Sequence, residues 1–132
     1  MTLNPLTEFL SGGYVRDPDG RLVVTFATDG GKALQFVPIS TAASGATQLV
    51  AAAGAGVKIK VVSYVIVASA PVTVKFQSAG VDLTGAMALA ANGGVSVSGN
   101  TSHLFETAAN AVLNINLGGA VQVSGHLAYF TE

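Results

Sequence analysis

Residues 57–78 read VKIKVVSYVIVASAPVTVKFQS. In the second half of this stretch Val72, Val74 and Phe76 alternate with Thr73, Lys75 and Gln77. A period of two puts the apolar set on one face of a strand and the polar set on the other. The first half begins the same way, with Val57, Ile59 and Val61 against Lys58 and Lys60. Past Val61 the second face also turns apolar, through Val62, Tyr64 and Ile66, while Val65 continues the face of Ile59 and Val61. A strand that is wet at one end and apolar on both faces at the other needs a cover there. The expected covers are an N-terminal arm or a partner subunit, which makes Val62, Tyr64 and Ile66 the candidate oligomer or partner interface. Pro71 sets a tight corner after Ala70 and interrupts the most apolar run, Val61 to Val74. That run falls short of the roughly 20 residues a membrane-crossing helix needs, so no membrane partner is expected.

Downstream, short strands are separated by turn signals every 8 to 12 residues, the spacing of a sandwich or barrel. Leu113, Ile115 and Leu117 oppose Asn114 and Asn116; Val121, Val123, Leu127 and Tyr129 oppose Gln122, Ser124 and His126. Gly118-Gly119 between these two strands predicts a hairpin. Asn92-Gly93-Gly94 predicts a turn, and Ala86 to Ala90 reads as a short strand or one helical turn. Upstream, Arg16-Asp17-Pro18-Asp19-Gly20 is a tight turn by its chemistry. Strands over Arg21 to Ala27 and Ala33 to Pro38 could pair as a hairpin across Asp29-Gly30-Gly31. Leu3, Leu6, Phe9 and Leu10 form an apolar stripe on a short helix or an extended arm, and these are the candidate arm contacts. Ile39 to Thr47 (ISTAASGAT) reads as a hinge. The expected division is therefore an arm with a short β-hairpin over residues 1–45 and an antiparallel β-sandwich over 46–132.

The chain of 132 residues is one domain long, with a formal charge of −1 and only 10% charged residues, against a usual quarter or so. That excludes the basic footprint of a nucleic-acid binder. Half the residues are apolar, which excludes disorder. A charge-poor surface has two readings: a Ser/Thr/Asn-rich exterior that hydrates well enough, or a surface covered by identical or different neighbours, whose interface cores are depleted of charge. Met1 to Leu10 holds Glu8 and no basic residue, unlike a secretory signal. There is no cysteine, hence no disulfide or thiolate site. His103, His126 and Glu106 make too thin a set for a metal and read as surface or cross-strand residues. Asp17-x-Asp19-Gly20 opens like a calcium loop but lacks the later acidic ligand. No His and carboxylate pair frames a nucleophile, and the glycine-rich stretches lack the lysine of a phosphate loop. No catalytic residue, metal or cofactor is expected.

The stretch from about Gln48 to Phe130 resembles a group of small bacteriophage virion proteins. The likeness rests on residues 57–78 quoted above, on LTGAMALAANGGVSVS (83–98), on HLFETAANAVLNINLGGAVQVSGHLAYF (103–130) and on the turns between them. RDPDGRLVVTF (16–26) is similar to connector segments of phage particles. The resemblance implies a jelly-roll-like sandwich assembling as a homotrimer in the virion, after synthesis in the bacterial host cytoplasm. It implies a head decoration or cement protein, with the major capsid protein or another virion protein as partner. The alternative is a tail-fibre, spike or baseplate module that binds a host receptor or carbohydrate. Tyr14, Tyr64 and Tyr129, with no tryptophan, are few for a sugar platform, and no long repeat-rich shaft is present. Decoration is the leading expectation.

Overall fold

The computed structural model describes residues 15–16, 18–20, 22–23, 32–99 and 102–132. These hold twelve strands: β1 (Val15–Arg16), β2 (Leu22–Val23), β3 (Gln35–Thr41), β4 (Gly45–Val50), β5 (Ile59–Ala68), β6 (Val72–Ser78), β7 (Val81–Asp82), β8 (Met87–Leu89), β9 (Gly94–Ser98), β10 (Phe105–Glu106), β11 (Leu113–Leu117) and β12 (Val123–Thr131). Strands β1 and β2 pair with each other around the expected turn, where Gly20 takes a φ of 82°. The other ten form two antiparallel sheets packed face to face. In the first the order is β10-β5-β12-β3, with β9 beside β10 along the same side of β5. In the second it is β4-β11-β6-β7, with β8 also on β6. The chain is all-β, an antiparallel β-sandwich, as the alternation predicts.

The core lies between the sheets. Ile39, Ile66, Val123 and Leu127 enter it from the first sheet, and Val74, Phe76, Ile115 and Leu117 from the second, each all but inaccessible to water. Fully burying one such side chain contributes about 1.5–3 kcal/mol. An aromatic cluster bridges the layers: Tyr64 stacks on Phe76 at 4.9 Å and Phe76 on Phe105 at 5.5 Å. Tyr64 Oη lies 3.5 Å from Met87 Sδ, and burial raises the phenol's pKa.

Three expectations change here. First, Tyr64 and Ile66 belong to this chain's own core rather than to a partner interface. The reason is a β-bulge. Ala128 of β12 faces Ser63, but the next residue, Tyr129, faces Val61, so Val62 is an extra residue on β5. One inserted residue reverses the parity of everything after it. Ile59 and Val61 before the bulge, and Tyr64 and Ile66 after it, therefore share the inner face, and Val65 turns outward. Val62 is buried in the bulge. The carbonyls of Val61 and Val62 accept hydrogen bonds from Leu104 N at 2.7 Å and Gly99 N at 2.8 Å, which holds the distortion in place.

Second, residues 35–41 form a strand of the sandwich. β3 pairs with β12 along its whole length, so the expected boundary near residue 45 falls inside the sandwich. The supposed hinge contributes Ile39–Thr41 to β3 and Gly45–Thr47 to β4, leaving only 42–44 as a corner. Among the described residues the expected hairpin is not seen: β2 pairs with β1, and β3 with β12, while residues 24–31 of it lie outside the described residues. Third, Gly118-Gly119 joins no hairpin. β11 and β12 lie in opposite sheets, because their apolar faces meet across the core.

Candidate functional site on the outer face of the first sheet

Cross-strand partners project to the same side of a sheet, so the registers give the composition of each outer face row by row. On the first sheet the outward rows include Phe36–Ala128–Ser63–Ser98, Pro38–His126–Val65–Ser96 and Ser40–Ser124–Val67–Gly94, and beyond them the row Phe130–Lys60–Glu106 at one end of the face. Phe36 is 71% exposed and Val67 46%. Leu34, two residues before Phe36, is 41% exposed. The first three rows hold no Asp, Glu, Lys or Arg, and His126 is their one titratable side chain. The apolar side chains stand on β3 and β5. Between them, β12 carries Ser124, His126 and Ala128, and Ala128 is buried.

The outer face of the second sheet is of opposite character. Gln48, Asn114, Gln77 and Asp82 form one row across four strands. Asn116 Nδ2 donates to Gln77 Oε1 at 3.1 Å, Gln77 Nε2 to Asp82 Oδ1 at 2.7 Å, and Lys75 Nζ to Asp82 Oδ2 at 2.9 Å. These bonds from Gln77 and Lys75 hold the Asp82 carboxyl below its ordinary pKa. This is a hydrated, internally satisfied face.

One end of the first sheet carries a cluster of charges. Lys58 Nζ donates to Glu106 Oε1 at 2.8 Å, and Lys60 Nζ reaches Glu132 at 3.1 Å and Glu106 at 3.8 Å. His103 Nε2 lies 3.4 Å from Glu106. Phe130 is fully buried beside this cluster, 6.0 Å from the Lys60 ammonium and 6.3 Å, edge-on, from the His103 ring. The hydrogen bond from Lys58 lowers the Glu106 pKa most. Burial opposes it, and the charges of Lys58, Lys60 and His103 add to it. A carboxyl with a depressed folded pKa contributes stability above its unfolded pKa and loses it as pH falls through the folded value. Thermal melts should therefore show Tm declining below about pH 4.5, and the Glu106→Gln variant should show a shallower acid decline. Equal slopes in the two proteins would mean that the cluster is fully screened by solvent.

The structure thus separates the residues singled out in the sequence. His103 and Glu106 come together, whereas His126 stands beside Val65, further along β5. Among the described residues no group of three or more His, Cys, Asp or Glu could hold a metal ion. Leu3, Leu6, Phe9 and Leu10, with Tyr14 and Asp17, lie outside the described residues. Leu34, Phe36 and Val67 were not among the candidates. The alternation Leu34, Phe36, Pro38 against Val37, Ile39, Thr41 was present, but an arm strand has no inside or outside until its sheet is known. No protein-family model, no curated protein and no solved structure matches the chain.

Proposed function

We propose that the protein is a non-enzymatic structural subunit that decorates or cements the shell of a phage particle as a symmetric oligomer. The observation that carries this reading is the contrast between the two outer faces. One is polar and hydrogen-bonded within itself; the other keeps its charge to one end and elsewhere exposes Leu34, Phe36 and Val67. Exposed apolar surface of this kind marks contact with another macromolecule. The strand order supports the jelly-roll-like part of the reading: β3-β12-β5-β9 lies over β4-β11-β6-β8, the nested two-sheet arrangement of eight-stranded capsid and lectin domains. The phage assignment itself rests on the sequence resemblance.

The mechanism is mass action. A subunit that binds the assembled shell and not its dissociated parts stabilises the shell, by about 2.7 kcal/mol at a hundredfold excess over Kd. Electron microscopy of purified particles should locate the protein at capsid symmetry positions, with a copy number fixed by them. Particles stripped of it should rupture at lower temperature and recover on its return. Absence from purified particles would end the proposal. A location at the tail tip would turn it into the receptor-binding alternative.

A further inference from the structure

We infer that Asn92 is a site of spontaneous modification, at which the folded chain converts its own side-chain amide to an acid. The main-chain nitrogen of Gly93, having lost its proton to hydroxide, attacks Cγ of Asn92. A C–N bond forms, the bond from Cγ to Nδ2 breaks, and the amide nitrogen takes a proton from water and leaves as ammonia. Water then opens the succinimide ring at either carbonyl. One opening gives aspartate. The other gives isoaspartate, in which the main chain runs through the former side-chain Cβ and Cγ. The chemistry is independent of what the outer face of the first sheet contacts.

The sequence selects the residue. Six asparagines occur in the chain, followed by Pro5, Gly93, Thr101, Ala111, Ile115 and Leu117. The attacking nitrogen must close a small ring against the preceding side chain. A Cβ on its own residue crowds that approach, and a proline nitrogen has no proton to lose. Gly93 alone offers an N–H with no Cβ beside it. Asn114 and Asn116 are restrained further, because β11 is paired on both sides and Asn116 Nδ2 donates to Gln77 Oε1 at 3.1 Å.

The fold presents the pair and also slows it. Residues 90–93 join β8 of the second sheet to β9 of the first. Asn92 is exposed there, with a φ of 57°, a conformation that asparagine adopts more readily than most residues. Gly93 N donates to Ala90 O at 2.9 Å, so the nucleophile is tied until the turn opens. Gly93 O accepts from Ala68 N at 2.9 Å, which pins the turn to the end of β5. A surface turn opens locally at far lower cost than the sandwich unfolds. Isoaspartate lengthens the main chain just before Gly93, and both hydrogen bonds then lose their spacing. Gly94 cannot take up the slack, since it lies so close to β5 that a Cβ there would collide with the carbonyl oxygen of Ile66. Either product puts a carboxylate next to the Ser40–Ser124–Val67–Gly94 row, at the opposite end of the face from Lys60 and Glu106.

The full chain should be held at pH 8.5 and 37 °C, folded or unfolded in guanidinium chloride, and sampled by mass spectrometry. Asp-Gly pairs at 19–20 and 29–30 isomerise without change of mass, so the mass gain of amide-to-acid exchange reports asparagine alone. Fragmentation of the tryptic peptide 76–132 should place the first acid of the folded chain at Asn92. It should form roughly tenfold more slowly than in the unfolded chain, the factor expected of a restraint relieved by local opening. Asn92→Gly keeps the positive φ and should abolish this first gain. Asn92→Asp should melt within a few degrees of the parent, whereas the isoaspartate fraction, separated by ion exchange, should melt about 5 °C below Asn92→Asp. A first acid at any other asparagine overturns the inference. So do equal rates in the folded and unfolded chains, or a folded chain still unmodified after about a hundred half-lives of the unfolded one. An isoaspartate fraction that melts with Asn92→Asp would remove the coupling of the turn to β5.

Discussion

The Ile66→Lys variant should yield no folded protein at 37 °C. Ile66 is fully inaccessible to water, in the middle of β5, between Val95 of β9 and Gly125 of β12. The substitution removes about 1.5–3 kcal/mol of apolar burial. It also forces an ammonium into the inter-sheet core, with an effective penalty of several kcal/mol more. Together these approach or exceed the roughly 5–15 kcal/mol by which a domain of this size is stable. The neighbouring Val65→Lys should behave in the opposite manner. Val65 faces outward, half-buried, and a lysine there can lay its stem along the sheet and keep its charge in water. Its cost should stay within about 1 kcal/mol. Soluble yield and far-UV circular dichroism of the pair decide the matter. A folded Ile66→Lys beside an unfolded Val65→Lys would mean that the parity reversal at Val62 is absent.

The second large effect is expected at Gly125. This residue lies in the central strand β12 with a φ of 155°, paired with Ile39 on one side and Ile66 on the other. A Cβ placed here would collide with the carbonyl oxygen of Val65, and would lie 2.8 Å from its carbonyl carbon and 3.1 Å from Ile66 Cα. These are backbone atoms of the adjoining strand, and no rotamer change moves them aside. Gly125→Ala must therefore push β5 and β12 apart or bend one of them. Overpacking in a core typically costs 1–3 kcal/mol and occasionally more; with both neighbours on backbone, about 3 kcal/mol is expected. That corresponds to a fall in Tm of roughly 10 °C or more. Gly119→Ala is the natural comparison, since a Cβ there meets nothing within 4 Å. A Gly125→Ala melt that overlays the Gly119→Ala melt would show that the two strands are not held so closely.

The strands β6 and β11 were legible because each keeps a two-residue alternation of apolar and polar residues, and β12 because it does so as far as Leu127. β5 was legible as a strand but not in its faces. A single extra residue at Val62 reverses the parity, and the sequence shows only Val61 and Val62 side by side. The bulge exists through pairing with Ala128 and Tyr129, more than sixty positions away, and local periodicity carries no information about distant partners. The same limit hid β3. ISTAASGAT looks like a linker because its residues are small, yet Ile39 and Thr41 are buried once β12 lies beside them. The candidate interface on Tyr64 and Ile66 failed for that reason, and Leu34 and Phe36 became visible as surface only when β3 joined the sheet.

The positions of β11 and β12 carry a consequence for synthesis. β12 separates β3 from β5, and β11 separates β4 from β6. Neither sheet can therefore zip up in order from the N-terminus as the ribosome delivers the chain. Between the appearance of β3 and that of β12 about ninety residues must be made, roughly 5–20 s at elongation rates of about 5–20 residues per second. Once made, VKIKVVSYVIVA can pair on one side with the short strands β9 and β10, but its other edge stays open until β12 is translated. Non-local pairing of this kind folds slowly and exposes sticky strands meanwhile. Heavy expression should accordingly tax the chaperones that hold nascent chains more than the modest size of the domain would lead one to expect.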